Sequence, residues 1–529
     1  MKSIMNHNFS QTAKASIPRS SFDRSHGYKT TFDAADLVPV FCDEVLPGDT
    51  FNLSMTSFSR LSTPLTPIMD NIFLDSFFFF VPTRLIWDNF QKFHGEQDNP
   101  TDSTSFLVPT MDSPVGGHLV GSLSDYMGIP TEVAGLEHIS LFHRAYNLIW
   151  NEWFRDQNLQ QSVTVDKDDG PDTSTDYALL QRGKRHDYFT SCLPWPQKGD
   201  EVTIPLGTTA PVTGIGKLTQ TFTQGVSTNV YETGTTGQTA YAEAAGINWA
   251  AAGDNNKFYV EEDPDNAGYP GVFADLSSAT AATINALRLA FQIQKLYERD
   301  ARGGTRYTEI IKSHFGVTSP DSRLQRPEYL GGGSSPVNIH PVQQTSESSG
   351  TPQGTLTAFG TASQYGHGFV KSFTEHGVIL GMVSARADLT YQQGLNRMFS
   401  RSERFDYFYP ALAHIGEQAV LNKEIYADAS ANDELVFGYA ERWSEYRYKP
   451  SQITGQFRST YASSLDIWHL SQEFGSLPEL NAAFITENPP IDRVIATPTE
   501  PHFIFDAYFN LKCARPMPTY STPGLIDHF

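Results

Sequence analysis

The chain has 529 residues, and its 38 Lys and Arg against 59 Asp and Glu give a formal charge of −21. A protein this acidic is not a general coat for nucleic acid, so any such contact must be confined to one local face. The same charge keeps assembled particles apart in solution. The length exceeds the usual single-core size and calls for several domains or one heavily elaborated domain. Charged residues at 18% and hydrophobics at 39% leave much of the chain to Gly, Pro, Ser, Thr and Asn, the residues of turns and long connections. That profile favours a mainly β scaffold with large loops over an α/β enzyme.

Residues 1–30 form a basic N-terminal arm, in which Lys2, Lys14, Arg19, Arg24 and Lys29 face a single acid, Asp23. Such an arm is either a disordered terminus or a segment lying on phosphates or on a neighbouring subunit. Strands are predicted at Leu37–Cys42, Phe51–Phe58 and Ile72–Val81, where apolar and β-branched residues alternate between Pro, Gly and Asp punctuation. The run DSFFFFVP within the last is too densely apolar for a half-solvated strand, so both its faces should be covered.

Helical patches interrupt this pattern. A short helix is predicted at Leu85–Phe93. In Ile139–Phe154, Phe142, Tyr146, Ile149, Trp150 and Trp153 recur on one helical stripe. Leu289, Ile293, Leu296 and Tyr297 do the same in Ile284–Arg299, where Gly303 and Gly304 stop the helix before another at Arg306–Phe315. Residues 199–275 differ from their surroundings, with ten acids against Lys217 and Lys257, and read as a surface insertion with its own short strands. The Gly/Ser/Pro-rich stretch 331–365 reads as a long loop. Strand signals return at Gly368–Phe373, Val378–Tyr391, Glu434–Tyr439 and His502–Lys512. The first and last strands share a core only if the chain returns on itself, as in Greek-key and jelly-roll sandwiches.

The motifs of chemistry are missing: there is no G-x-x-x-x-G-K-[ST], HExxH, G-x-S-x-G or C-x-x-C. Cys42, Cys192 and Cys513 are odd in number and lack metal-type spacing, so they read as reduced core residues of a cytoplasmic protein. The cluster His94, Glu96, Asp98 follows the short helix as an ordinary turn. Asp166, Asp168, Asp169, Asp172 and Asp176 have the acid density of a calcium loop but lack its closing Glu, and a solvated acidic loop is the preferred reading. Phe77–Val81 is too short to span a bilayer, and no signal-peptide pattern opens the chain. Two basic stretches interleave with aromatics, residues 288–326 and residues 442–458. In the second, Arg442, Arg447, Lys449 and Arg458 alternate with Trp443, Tyr446 and Tyr448. Cation plus aromatic suits single-stranded DNA; the competing reading is a strand and a helix making salt bridges between subunits.

Several stretches resemble the major capsid proteins of gokushoviruses (Microviridae). They are RLSTP at Arg60–Pro64, PIMDN at Pro67–Asn71, DSFFFFVPTR at Asp75–Arg84, RGKRHDYF at Arg182–Phe189 and LPWPQK at Leu193–Lys198. LRLAFQIQKLYER at Leu287–Arg299, IKSHFG at Ile311–Gly316 and PGLIDHF at Pro523–Phe529 complete the match. The resemblance implies one eight-stranded antiparallel jelly-roll domain over residues 31–529, with no catalysis and no cofactor. It implies a virion subunit that self-assembles in the bacterial host cytoplasm into a T=1 icosahedral shell around circular single-stranded DNA. Minor virion proteins, internal scaffolding proteins and a host-surface receptor are the further partners; a membrane is not. The insertion 199–275 would be the family's three-fold protrusion, where Tyr231, Tyr241, Trp249 and Tyr259 are candidates to face the host. Lys2, Lys14, Arg19, Arg24, Arg442, Arg447, Lys449 and Arg458 are candidates to contact DNA. A lectin-like jelly-roll module binding sugar through the insertion aromatics is the alternative, and a paired-carboxylate glycoside hydrolase the third reading.

Overall fold

A computed structural model describes residues 18–202, 284–317 and 325–520, with short strands at 212–213, 215–217, 258–260 and 273–274. These residues fall into two compact units, one running to Pro196 and resuming at Thr305, the other spanning Gln197–Gly304.

The first unit is built on ten strands: β1 (Ser20–Asp23), β2 (His26–Phe32), β3 (Val38–Val45), β4 (Thr50–Leu61), β5 (Ile72–Pro82), β6 (Glu328–Pro336), β7 (Asn338–Gln343), β8 (Leu356–Ser372), β9 (Gly377–Ala387) and β10 (Phe503–Arg515). One sheet has the order β2–β10–β4–β8, widened by β1 alongside β10 and by β7 at the far edge; the other runs β6–β5–β9–β3. All the pairings are antiparallel. Eight strands thus form two facing sheets of four, and the chain switches sheet at nearly every step, which is a jelly roll. Residues at the two ends of the chain meet in register, Phe503 opposite both Phe32 and Leu61.

Period-two patterning makes these strands. In β10, Phe503, Phe505, Ala507, Phe509, Leu511 and Cys513 are buried while Ile504, Asp506, Tyr508, Asn510 and Lys512 are exposed, one face in and one face out. β4 repeats the alternation. The inward faces of both sheets meet in one core that runs from Phe32 to Cys513, with Phe32 stacked on Phe503 at 5.4 Å. β5 is covered on both faces as its composition requires. Phe78 and Phe80 enter the core between the sheets. Phe79 and Val81 enter a second core with Tyr146, Ile149 and Trp150 from helix α1 (Leu141–Ile149) and the wider turn that continues it. A third cluster joins Tyr188, Phe189, Tyr391 and Phe437 beside the hairpin Glu417–Leu421 and Val436–Glu441. Cys42, Cys192 and Cys513 form no disulfide with one another.

Two expectations are corrected. The arm does not extend loosely to residue 30: β1 and β2 pair with β10 from Ser20 to Phe32, because Tyr28 and Phe32 supply inward apolar positions. The stretch 331–365 is mostly strand rather than loop, and 344–355 connects β7 to β8. Gly331, Gly332 and Gly333 lie opposite Phe78, Phe77 and Ser76. A Cβ on Gly332 would stand 2.0 Å from the Ser76 carbonyl oxygen, so the glycines mark close approach of backbones, which composition alone cannot distinguish from a loop.

In the second unit, Val212–Thr213 pairs with Phe273–Ala274 and, inside it, Ile215–Lys217 pairs with Phe258–Val260. The nested register shows an excursion that leaves and returns on itself. Helix α2 (Ile284–Arg302) belongs to the same unit, which therefore extends past the expected limit at residue 275. Helix α3 (Tyr307–Phe315) opens the return to the first unit.

Candidate assembly and nucleic-acid surfaces

Most of the basic residues singled out by sequence are engaged within the chain. Past the hairpin, Arg442 lies with its guanidinium 4.8 Å above the Trp443 ring, Arg447 pairs with Glu441, and Arg458 Nη1 donates to the Gln392 carbonyl at 2.5 Å. Lys449 is exposed. At the other end of the chain Arg19 Nη2 donates to Thr50 Oγ1 at 3.1 Å, and Arg24 pairs with Asp43; Lys2 and Lys14 lie outside the described residues. In the 288–326 stretch, Arg306 holds Glu152 at 3.0 Å and Glu309 at 3.1 Å, and Arg326 covers Trp153 at 5.2 Å. These cations position protein segments.

The structure adds a segment that sequence reading passed over. Residues 399–409 fold onto 443–448, with Arg401 4.3 Å above Tyr446 and 5.2 Å above Tyr407, Arg404 5.2 Å above Tyr409, and Phe408 edge-on to Trp443 at 5.7 Å. Arg401 also pairs with Glu445 at 3.4 Å. Phe405, Tyr407, Tyr446 and Tyr448 remain more than half exposed. The signal was there, since RSERFDYFYP alternates Arg with aromatics, but it sits between strand signals and reads as connection. Arg401 and Arg447 are paired with acids, and the two segments hold as many acids as arginines, so they offer little net charge to phosphates. Tyr, Phe and Arg in such a setting match the core of a protein–protein interface.

The acidic loop also serves the fold. Asp172 takes two bonds from Arg144, one of them Nε to Oδ2 at 2.7 Å, and one from the Tyr177 hydroxyl at 2.5 Å. Arg144 has no exposed surface and donates further to the carbonyls of Ile86 at 3.0 Å and Asp168 at 2.9 Å. Burial works to raise the Asp172 carboxyl, but Arg144 and Tyr177 outweigh it and hold the group below its ordinary range. Asp169 accepts from the Trp87 indole at 2.7 Å. His94 stacks on His376 at 4.6 Å, at the turn after Phe90–Phe93. Among the described residues no group of three or more His, Cys, Asp and Glu is arranged to hold a metal ion, and no described helix is long and apolar enough to cross a membrane. A cleft between Tyr188, Tyr391 and Tyr448 contains Glu424, whose carboxylate is already bound by Arg397 at 3.0 Å and by Tyr188 at 2.7 Å.

Of the insertion aromatics, Tyr231, Tyr241 and Trp249 lie outside the described residues, and Tyr259 lies opposite Gly216 in the short ladder.

A jelly roll closed from both ends of the chain, with excursions that expose charge-compensated aromatics, defines a self-associating structural subunit of the viral-shell class. Comparison with known sequences agrees. The family model described as capsid protein (F protein) matches residues 10–525. The chain is 51% identical to the capsid protein VP1 of Bdellovibrio phage phiMH2K, covering 99% of this chain and 98% of that one. It is 44% identical to capsid protein VP1 of Chlamydia phage 1, over 99% and 98% of the two chains. For capsid protein VP1 of Spiroplasma virus 4 the identity is 37%, over 98% and 97%. The chain belongs to the phage capsid protein (F protein) family, in the gokushovirus branch of the Microviridae, and is a major capsid protein. The lectin-like alternative is not favoured, since these relatives are structural capsid proteins.

Proposed function

We propose that this subunit closes into a T=1 icosahedral shell around a circular single-stranded DNA genome. Assembly takes place in the cytoplasm of a bacterial host, with internal scaffolding and minor virion proteins as partners. The observation that carries this reading is the exposed aromatic surface of 399–409 and 443–448. Clustered exposed rings of this kind mark interaction sites, and the segments hold as many acids as arginines, which favours a protein neighbour over phosphates. Identical copies are its natural cover, and modest contacts repeated about each symmetry axis make a shell that is hard to dissociate. The excursion 199–275, acidic by composition, is assigned outward, where it would meet a host receptor. The test is to co-express the full chain with its scaffolding partner and examine the product by negative-stain microscopy. Closed particles of uniform size containing single-stranded DNA are expected; monomers under every condition tried would contradict self-assembly.

A further inference from the structure

We infer that the chain carries a self-modification site. After folding, Lys184 Nζ attacks the side-chain amide carbon of Gln472, ammonia leaves, and an isopeptide bond staples two segments that lie 288 residues apart.

The site lies in the first unit, where residues 182–184 run against 485–487. Lys184 N donates to the Ile485 carbonyl at 2.8 Å, and Glu487 N donates to the Arg182 carbonyl at 2.9 Å. A third segment is fixed beside them, with Ser471 bonded to the Thr390 carbonyl and Phe474 N to the Gln393 side chain. Lys184, Gln472, Glu487 and Asn488 line one cavity of about 20 Å³, room for a single water. Lys184 is 8% exposed and Glu487 1%.

Two charges buried this deeply are ordinarily paired with each other. Lys184 Nζ instead donates to Gln472 Oε1 at 3.1 Å and lies 4.6 Å from the centre of the Phe484 ring, which keeps water from it. Glu487 holds the Ala387 amide, and its Oε2 has no hydrogen-bond partner among the described residues. Such an arrangement suits the neutral forms of both groups. Burial lowers the Lys184 amine against the pull of Glu487 and Asp187. Burial also raises the Glu487 carboxyl to about 7, against the pull of Lys184 and Arg182. A neutral, desolvated amine is a nucleophile, and this one is held against its target carbonyl. A carboxyl poised near neutrality can both give and take a proton.

In the step itself the Lys184 nitrogen bonds to Gln472 Cδ and the Cδ–Nε2 bond breaks. Glu487, acting across the cavity, gives its proton to the departing nitrogen and recovers one from the amine. The products are one secondary amide and one ammonia; no oxidant, reductant or other co-reactant is consumed. One amide replaces another, so the exchange costs little, and escape of ammonia to solvent makes it final. The step happens once in the life of a chain and need not be fast. Cys42, Cys192 and Cys513 form no disulfide with one another. An isopeptide bond closing so long a loop restrains the unfolded chain as a disulfide would, and thiol reductants do not open it.

The test is mass spectrometry of the full chain, intact and after digestion. An intact mass one ammonia below that of the sequence is expected, with Lys184 and Gln472 recovered in one branched peptide. Denatured and reduced, the linked chain should run ahead of the Lys184→Arg and Gln472→Ala variants on a gel, and those variants should keep the full mass. Glu487→Gln preserves the shape of the side chain and should slow the loss of ammonia at least about a hundredfold over a time course after synthesis. The parent chain gives the answer even where a variant fails to fold. Full mass with both peptides free, in folded chains or in particles, overturns the inference. Loss of ammonia without a branched peptide, or a branch from Lys184 to Asn488, overturns it as well. Loss at the parent rate in Glu487→Gln would overturn the step as written.

Discussion

Arg144 is a fully buried charge held by Asp172, and removing one partner of such a pair costs more than the pair contributes, because the other is left buried and uncompensated. Asp172→Ala should therefore lower stability by about 3–5 kcal/mol, read as a drop in unfolding midpoint; an unchanged midpoint would mean that Arg144 finds another acceptor. Beside it His118, His138 and His143 form a chain, with 3.0 Å between the first two Nε2 atoms and His143 bonded to Ser124 at 2.9 Å. Burial, then His138 and His118, hold the His143 imidazole down to about 3 against an ordinary 6.5. The folded chain thus takes up fewer protons here than the unfolded chain. The stability from neutral His143 is complete above about pH 6.5 and is lost as pH falls toward about 3. Hydrogen-exchange protection factors in residues 110–139, taken relative to the intrinsic rate at each pH, should fall on acidification, and His143→Gln should flatten that response; equal responses would put the sensitivity elsewhere. None of this was legible in the sequence. In sequence Asp172 is one acid in a calcium-like run, because its partner Arg144 lies 28 residues away on a helix.

At the scale of elements, strong periodicity was readable and close approach was not. The alternation in Phe503–Lys512, the doubly covered Phe77–Val81 and the helix stripe from Phe142 to Trp153 all follow from which faces must leave water, a local property. The Gly-rich β6 was read as loop because its reason for glycine is a neighbouring strand more than two hundred residues away. Gly332→Ala should cost at least about 1–3 kcal/mol through overpacking and reduce the yield of soluble chain; normal yield and midpoint would show that β6 can shift without penalty. The 399–409 segment makes the complementary case. Its aromatics are unremarkable until the fold lays them on 443–448. Phe405→Ser with Tyr407→Ser, both at exposed positions, should leave the unfolding midpoint within about 0.5 kcal/mol of the parent while lowering the yield of particles. Particles in full yield would remove this surface from assembly.

For the whole molecule, the sandwich leaves loops of very unequal length, and what the chain does depends on where those loops are carried. The strand signals at the two ends and the resemblance carried through most of the chain made the jelly roll readable. Which cations are engaged within the chain was much less so: Arg19 and Arg24 bond Thr50 and Asp43, while Lys449 stays exposed. Arg442, Arg447 and Arg458 are bound to Trp443, Glu441 and the Gln392 carbonyl, and only a three-dimensional count of partners separates such residues from free ones. The molecule builds a shell, and a particle reconstruction at side-chain resolution tests this most directly. Each copy should retain the sandwich closed by Phe503–Arg515 against Thr50–Leu61, with Tyr407 and Tyr446 buried against a neighbouring copy. Copies that leave those rings in solvent at every symmetry axis, or that pair β10 elsewhere, would contradict it.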